Sequence, residues 1–120
     1  MIARKEATPE DLLEAALARM AEVNPAINAV IVDARDHARR AIAEGLPDGP
    51  FKGVPFLLKD ITIHMKGIAS SAGSRLLKDF VSPFDSALTT AYNEAGFVTF
   101  GKTSTSEFGL LGVVDTALFG

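Results

Sequence analysis

Among the side chains able to do chemistry, Lys59 stands out by its setting. It ends the apolar run Val54-Pro55-Phe56-Leu57-Leu58 and is followed by Asp60. Open parallel sheets form their ligand crevices beyond the carboxyl ends of the strands, where this lysine is expected. Its stem would leave the core and its amine would reach a partly desolvated rim. A lysine acting as a base must be neutral, against a reference pKa of about 10.4 that burial and nearby dipoles lower. An ordinary solvated Lys59–Asp60 pair fits the same residues, and the motif alone does not choose. His64, in the long loop that follows, is a pocket candidate by its nearness in sequence. His37, inside a polar helix beside Arg39 and Arg40, is expected to be solvated. Lys102 follows a strand and precedes a helix start, which suggests a phosphate site. The glycine spacing of a P-loop is missing, however. Glu107 invites an acid–base role, but its spacing from Ser104 also makes a helix capping box.

Composition narrows the chemistry further. The 120 residues carry a net charge of −3 with no block of like charge, which argues against nucleic acid as a direct partner. With no cysteine, there is no disulfide, thiolate metal site or cysteine nucleophile. His37 and His64 are too isolated to suggest a zinc site, and no metal or organic cofactor is expected. No apolar run reaches membrane-spanning length, and Met1 to Glu6 leads into no apolar stretch of a secretory signal. The expectation is a cytoplasmic α/β chain without a membrane partner.

The elements that must position Lys59 can be read in order. Thr8, Pro9, Glu10 and Asp11 open a first helix, with Leu12, Leu13, Ala16, Leu17 and Met20 on one face. Asn24-Pro25 should stop it. Val30 to Val32 is extended, and Asp33, with Asp36 three residues on, is expected to cap a second helix that Gly45 ends. Val54 to Leu58 reads as a buried strand with Pro55 near its start or an edge. Residues 62–84 form a long loop of the functional kind. Asp85 should cap a third helix carrying Leu88, Ala91, Tyr92 and Ala95, closed by Gly96. Phe97 to Phe100 is a second buried strand, parallel to the first by way of the crossover. Ser104-Thr105-Ser106-Glu107 should open a fourth helix. The final run Ala117-Leu118-Phe119-Gly120 is unlike the polar, frayed end of a domain, and the chain is expected to continue.

The segment Gly53-Val54-Pro55-Phe56-Leu57-Leu58-Lys59-Asp60 resembles the lysine-bearing motif of the amidase signature family. Ala72-Gly73-Ser74, Asp85 with its helix to Gly96, Gly101-Lys102-Thr103, Glu107-Phe108 and Phe119-Gly120 follow in the family's order. Asn24-Pro25-Ala26-Ile27-Asn28-Ala29-Val30 is also similar. Gly49-Pro50-Phe51 running into the lysine motif most resembles the hydrolases of 6-aminohexanoate cyclic dimers. Ile61 and Ser104 depart from residues common in the family, which bears on substrate preference. The resemblance implies the N-terminal part of an α/β/α sandwich with a mixed, largely parallel sheet. Residues 1–120 would form one incomplete domain: N-terminal helices 8–45, a lysine-bearing strand-loop-helix-strand 53–101, and the start of a serine-rich segment 102–120.

The implied activity is hydrolysis of a small-molecule amide by a Ser–Ser–Lys triad, without cofactor, with Lys59 as the base. Ser74 and His64 are candidate substrate contacts. Both triad serines and the oxyanion turn would follow Gly120, so this stretch alone is expected to be inactive. Self-association, or pairing with the missing C-terminal part, follows from strands left uncovered. Two alternatives stay open: the amidase subunit of a tRNA-dependent amidotransferase, and a non-catalytic truncated module that folds or binds.

Overall fold

Thr8 begins the first helix, as its hydroxyl accepts from the Asp11 amide while the Asp11 carboxylate accepts from the Thr8 amide, a reciprocal cap. The computed structural model of the chain describes residues 2–4 and 6–120. Of the opening run read for a secretory signal, Met1 and Lys5 lie outside the described residues. Helix α1 spans Pro9–Ile27, strand β1 Val30–Asp33, helix α2 Arg35–Glu44 and strand β2 Pro55–Lys59. Helix α3 covers Ala87–Glu94 and strand β3 Val98–Thr103. Short 3₁₀ turns at Ile2–Arg4, Arg75–Leu77 and Glu107–Gly109 complete the order.

Among the described residues, three strands form one mixed sheet in the order β1-β3-β2, with β2 parallel and β1 antiparallel to β3. Pro55 is the first residue of the edge strand β2, where its missing N–H costs no ladder bond. One face of the sheet packs Val98, Phe100 and Leu57 against Leu13 and Leu17 of α1 and Ala38 of α2. Each such fully buried leucine contributes about 1.5–3 kcal/mol. The other face packs Leu58 and Phe56 against Met65, Ile63 and Tyr92 of α3. Helices α1 and α2 thus cover one face, and the loop after β2 with Tyr92 of α3 covers the other.

The sequence misplaces several helix ends. Helix α1 runs past Pro25 to Ile27. The donor that Pro25 lacks would have faced Ala21, which is exposed to water. Asn24 meanwhile holds the turn by pairing its side-chain amide with both the N–H and the C=O of Val30 at 2.8 and 2.9 Å. Asp33 does not cap α2: it belongs to β1, and its carboxylate accepts from the Arg35 amide and Nε. Asp85 receives the Lys66 amide at 2.7 Å, and Ser86 caps α3 instead.

The expected fourth helix is a single 3₁₀ turn. Glu107 turns away to a long-range partner, Ser74, at 2.6 Å, and Phe108 takes a left-handed φ of 51° that no continuing helix tolerates.

His37 is half-buried, not solvated. Burial, and then the Arg40 cation, push its pKa below 6.5. The unfolded chain therefore takes up this proton first as pH falls, and stability drops below pH 6.5 until the folded imidazole also protonates. Asp11, Asp33 and Asp48, all held below 3.8, act only at lower pH. The difference between urea midpoints taken at about pH 7.5 and 5.5 should be smaller in His37→Gln than in the wild type.

Candidate active site

Lys59 is the last residue of β2 and lies beside Thr103, the last residue of β3, so two parallel strands deliver their carboxyl ends together. The Asp60 amide donates to the Thr103 carbonyl at 3.0 Å, fixing the chain as it leaves the sheet. The Lys59 side chain is exposed, and its Nζ donates to the Ser104 carbonyl at 2.8 Å.

Asp60 points the opposite way and is fully buried. It is no member of a solvated pair with Lys59: its Oδ1 lies 2.7 Å from Nζ of Lys102, itself 0% exposed. The remaining Lys102 protons go to Ser70 Oγ at 2.9 Å and the Ala69 carbonyl at 3.2 Å, so the ammonium has three acceptors for three donors. The other carboxylate oxygen accepts from Ser71 Oγ at 2.6 Å and the Ser71 amide at 3.0 Å. With Lys102 enclosed in this way, the phosphate reading of that residue fails.

The sheet register explains how Lys102 comes to lie here. Val98 and Phe100 point to the α1–α2 face, and simple alternation would send residue 102 to the same side. Between β2 and β3, however, Phe56 pairs with Thr99 and Leu57 with Gly101, skipping Phe100. That bulge reverses the alternation and turns Lys102 to the Leu58 face, where Asp60 waits. Gly101 permits it, because a Cβ there would come within 2.7 Å of the Val32 carbonyl.

The loop 69–76 closes over this pair. Gly73 has φ +68° and lies so near the Thr105 carbonyl that a Cβ would sit 2.7 Å from it. Ser74 is 2% exposed, and its hydroxyl donates to Glu107 and accepts from the Leu76 amide. Ser74 and Lys59 thus flank one segment, residues 104–107, from its two ends. His64 belongs to a different neighbourhood. Its ring packs against Phe80 and Phe84 at centroid distances of 5.9 and 5.1 Å, and its carbonyl accepts from Ser86 and Thr89 of the α3 start. Sequence reasoning missed the role of Asp60, Ser70 and Ser71 around Lys102. The one usable signal was two oppositely charged residues, each adjoining an apolar strand.

A cavity of about 570 Å³ lies at the α1–β1 end, lined by Met20, Asn24, Asn28, Val30 and Arg35 among others.

A lysine delivered by a parallel strand to the carboxyl edge of a mixed sheet, with helices α1 and α2 on one face, defines an α/β protein with its candidate chemistry at that edge. Residues 11–120 match the family Amidase, and the chain belongs to that family. It is 39% identical over 99% of its length to a glutamyl-tRNA(Gln) amidotransferase subunit of Cutibacterium acnes, covering 25% of that protein. It is 40% identical over 87% of its length to the 6-aminohexanoate-cyclic-dimer hydrolase of Paenarthrobacter ureafaciens, covering 21% of it. A solved 6-aminohexanoate cyclic dimer hydrolase, complexed with substrate, superposes with a TM-score of 0.92 at 35% identity, over 99% of this chain and 25% of the other. The chain spans about a quarter of the length of the curated relatives it matches.

Proposed function

We propose that residues 1–120 supply the lysine arm of an amide-hydrolysing site, with Lys59 as the base. The observation that carries this reading is the Lys59 amine, exposed at the carboxyl edge of the sheet and held on the Ser104 carbonyl within residues 11–120, which match the family Amidase. A neutral amine has two N–H bonds and one lone pair. With one N–H donated to Ser104, the lone pair is not used by that contact and can accept a proton. In the triad that the family resemblance implies, that proton leaves a nucleophilic serine through a bridging serine as the serine oxygen attacks the amide carbon. It returns to the departing amine, and water then releases the acyl group. Both serines would come from the remaining part of the amidase domain, so residues 1–120 would be its N-terminal portion. The relatives with cyclic-amide hydrolase names support a small amide as substrate. The amidotransferase relative supports a second reading, in which the same bond cleavage feeds ammonia to a partner subunit.

The test compares amide and aryl-ester turnover by the 120-residue chain alone and by a polypeptide extended through the rest of an amidase domain. The extended protein should turn over substrate and the short chain should not. Lysine-dependent turnover with fluorophosphonate labelling of a serine in the short chain would contradict the reading.

The same reading bears on association. Leu76, Leu110, Leu111 and Val113 are 81, 80, 73 and 71% exposed, and Phe108 and Val114 lie beside them in sequence, also exposed. Several large apolar side chains exposed within one short segment, 108–114, fit an interface. The short chain by itself should self-associate and bind a hydrophobic dye. A dye-silent monomer by light scattering at high concentration would count against an uncovered interface.

A further inference from the structure

We infer that Asp60 and Lys102 are positioning residues for Lys59, holding its amine on the Ser104 carbonyl from both ends of that contact. The inference rests on the reading of Lys59 as the proton acceptor.

The covalent and hydrogen-bonded path makes a closed ring. From Lys59 the chain passes to Asp60, whose carboxylate grips Lys102 at 2.7 Å. From Lys102 it passes through Thr103 to Ser104, whose carbonyl receives the Lys59 amine at 2.8 Å. The Asp60 amide braces the ring at its centre by donating to Thr103 at 3.0 Å. Both partners of the Lys59–Ser104 contact are thus anchored, within two residues, by one ion pair.

Asp60 is also kept from interfering. A carboxylate next in sequence to a lysine would ordinarily compete for its ammonium. Here Oδ1 is committed to Lys102 and Oδ2 to the amide and hydroxyl of Ser71, on the far face of the sheet edge. The Lys59 amine is left to a neutral acceptor.

The backbone around the pair carries strain of the kind that persists only where surroundings over-determine it. Thr62, Ala72 and Phe108 all take left-handed φ values, 53, 50 and 51°, and Thr62 is β-branched. All three lie in the segments that leave or cover the pair: Thr62 just after Asp60, Ala72 just after Ser71, and Phe108 with its amide on the Ala72 carbonyl at 2.9 Å. Stability alone gives little reason for the arrangement, since an apolar pair of similar volume generally serves a core as well.

The experiment is competitive acetylation of the 120-residue chain with acetic anhydride at one fixed pH, each lysine read by peptide mass spectrometry against the exposed Lys78. In the wild type Lys102 should be protected, and the rate of Lys59 relative to Lys78 is the reference for the variants. In Asp60→Asn/Lys102→Met, which leaves no lone buried charge, Lys59 should react about two- to tenfold faster relative to Lys78, the worth of one hydrogen bond. Ser71→Ala, which keeps both charges paired, should move the ratio in the same direction by less. A purely structural pair would lower stability without moving the Lys59 ratio in the folded protein, and an unchanged ratio with wild-type circular dichroism would overturn the inference. Should the double variant fail to fold, the Ser71→Ala ratio decides by the same criterion. Acetylation does not involve turnover. The positioning inference can therefore fail while turnover of the extended protein still depends on Lys59, and the reading of Lys59 as a base can fail while the acetylation ratios move.

Discussion

Lys102→Met should cost the fold about 3–5 kcal/mol, a large share of the 5–15 kcal/mol that holds a typical domain together. The cause is the Asp60 carboxylate left behind. It is 0% exposed, and once the ammonium is gone its remaining hydrogen-bond partner among the described residues is Ser71. Ser70 Oγ and the Ala69 carbonyl lose their donor in the same step. Replacing both charges, as in Asp60→Asn/Lys102→Met, should recover most of the loss, because the expensive species is the unpaired ion and not the absent attraction. Urea denaturation of the two single variants and the double variant gives the coupling directly. Losses that simply add, with the double variant the least stable of the three, would mean that the two charges do not depend on one another.

What could be read from the sequence divides along physical lines. Local chemistry was legible: the Thr8 cap, the apolar stripe of α1, Gly45 at the end of α2, and Pro55 at the start of an edge strand each follow from neighbours within one turn or one ladder. The apolar runs located β2 and β3, and the lysine at the end of β2. The errors arise where a side chain had both a local and a distant partner. Asp85 chose the Lys66 amide and Glu107 chose Ser74, each leaving the helix it was expected to cap, whereas Asp33 stays beside α2 and accepts from its first residue, Arg35. The buried Lys102 was the deepest miss. Its side-chain direction depends on a bulge at Phe100, which no period-two reading of Val98 to Thr103 contains. His37 was misjudged because its charged sequence neighbours say nothing of the contacts that half-bury it.

Lys59→Ala, made in a polypeptide extended through the rest of an amidase domain, should lower kcat by about 10²- to 10⁴-fold, the usual contribution of a positioned base. The fold should survive, because the Lys59 side chain is exposed and contributes one hydrogen bond, while the buried pair beneath it is untouched. KM should change little, since the amine meets the substrate only through a relayed proton. A variant that lost activity by unfolding would show a shifted urea midpoint, which this account does not expect.

Charge and proton acceptance are separated by Lys59→Arg in the same extended protein. Arginine keeps the positive charge and can still donate to the Ser104 carbonyl, but its guanidinium stays protonated and cannot accept a proton from a serine. The measurement is kcat for amide hydrolysis by the wild type, Lys59→Ala and Lys59→Arg at matched folded concentration. The account predicts that arginine is nearly as inactive as alanine. An arginine variant that kept most of the wild-type rate would show that residue 59 acts through its charge or its packing, and would contradict its assignment as the base.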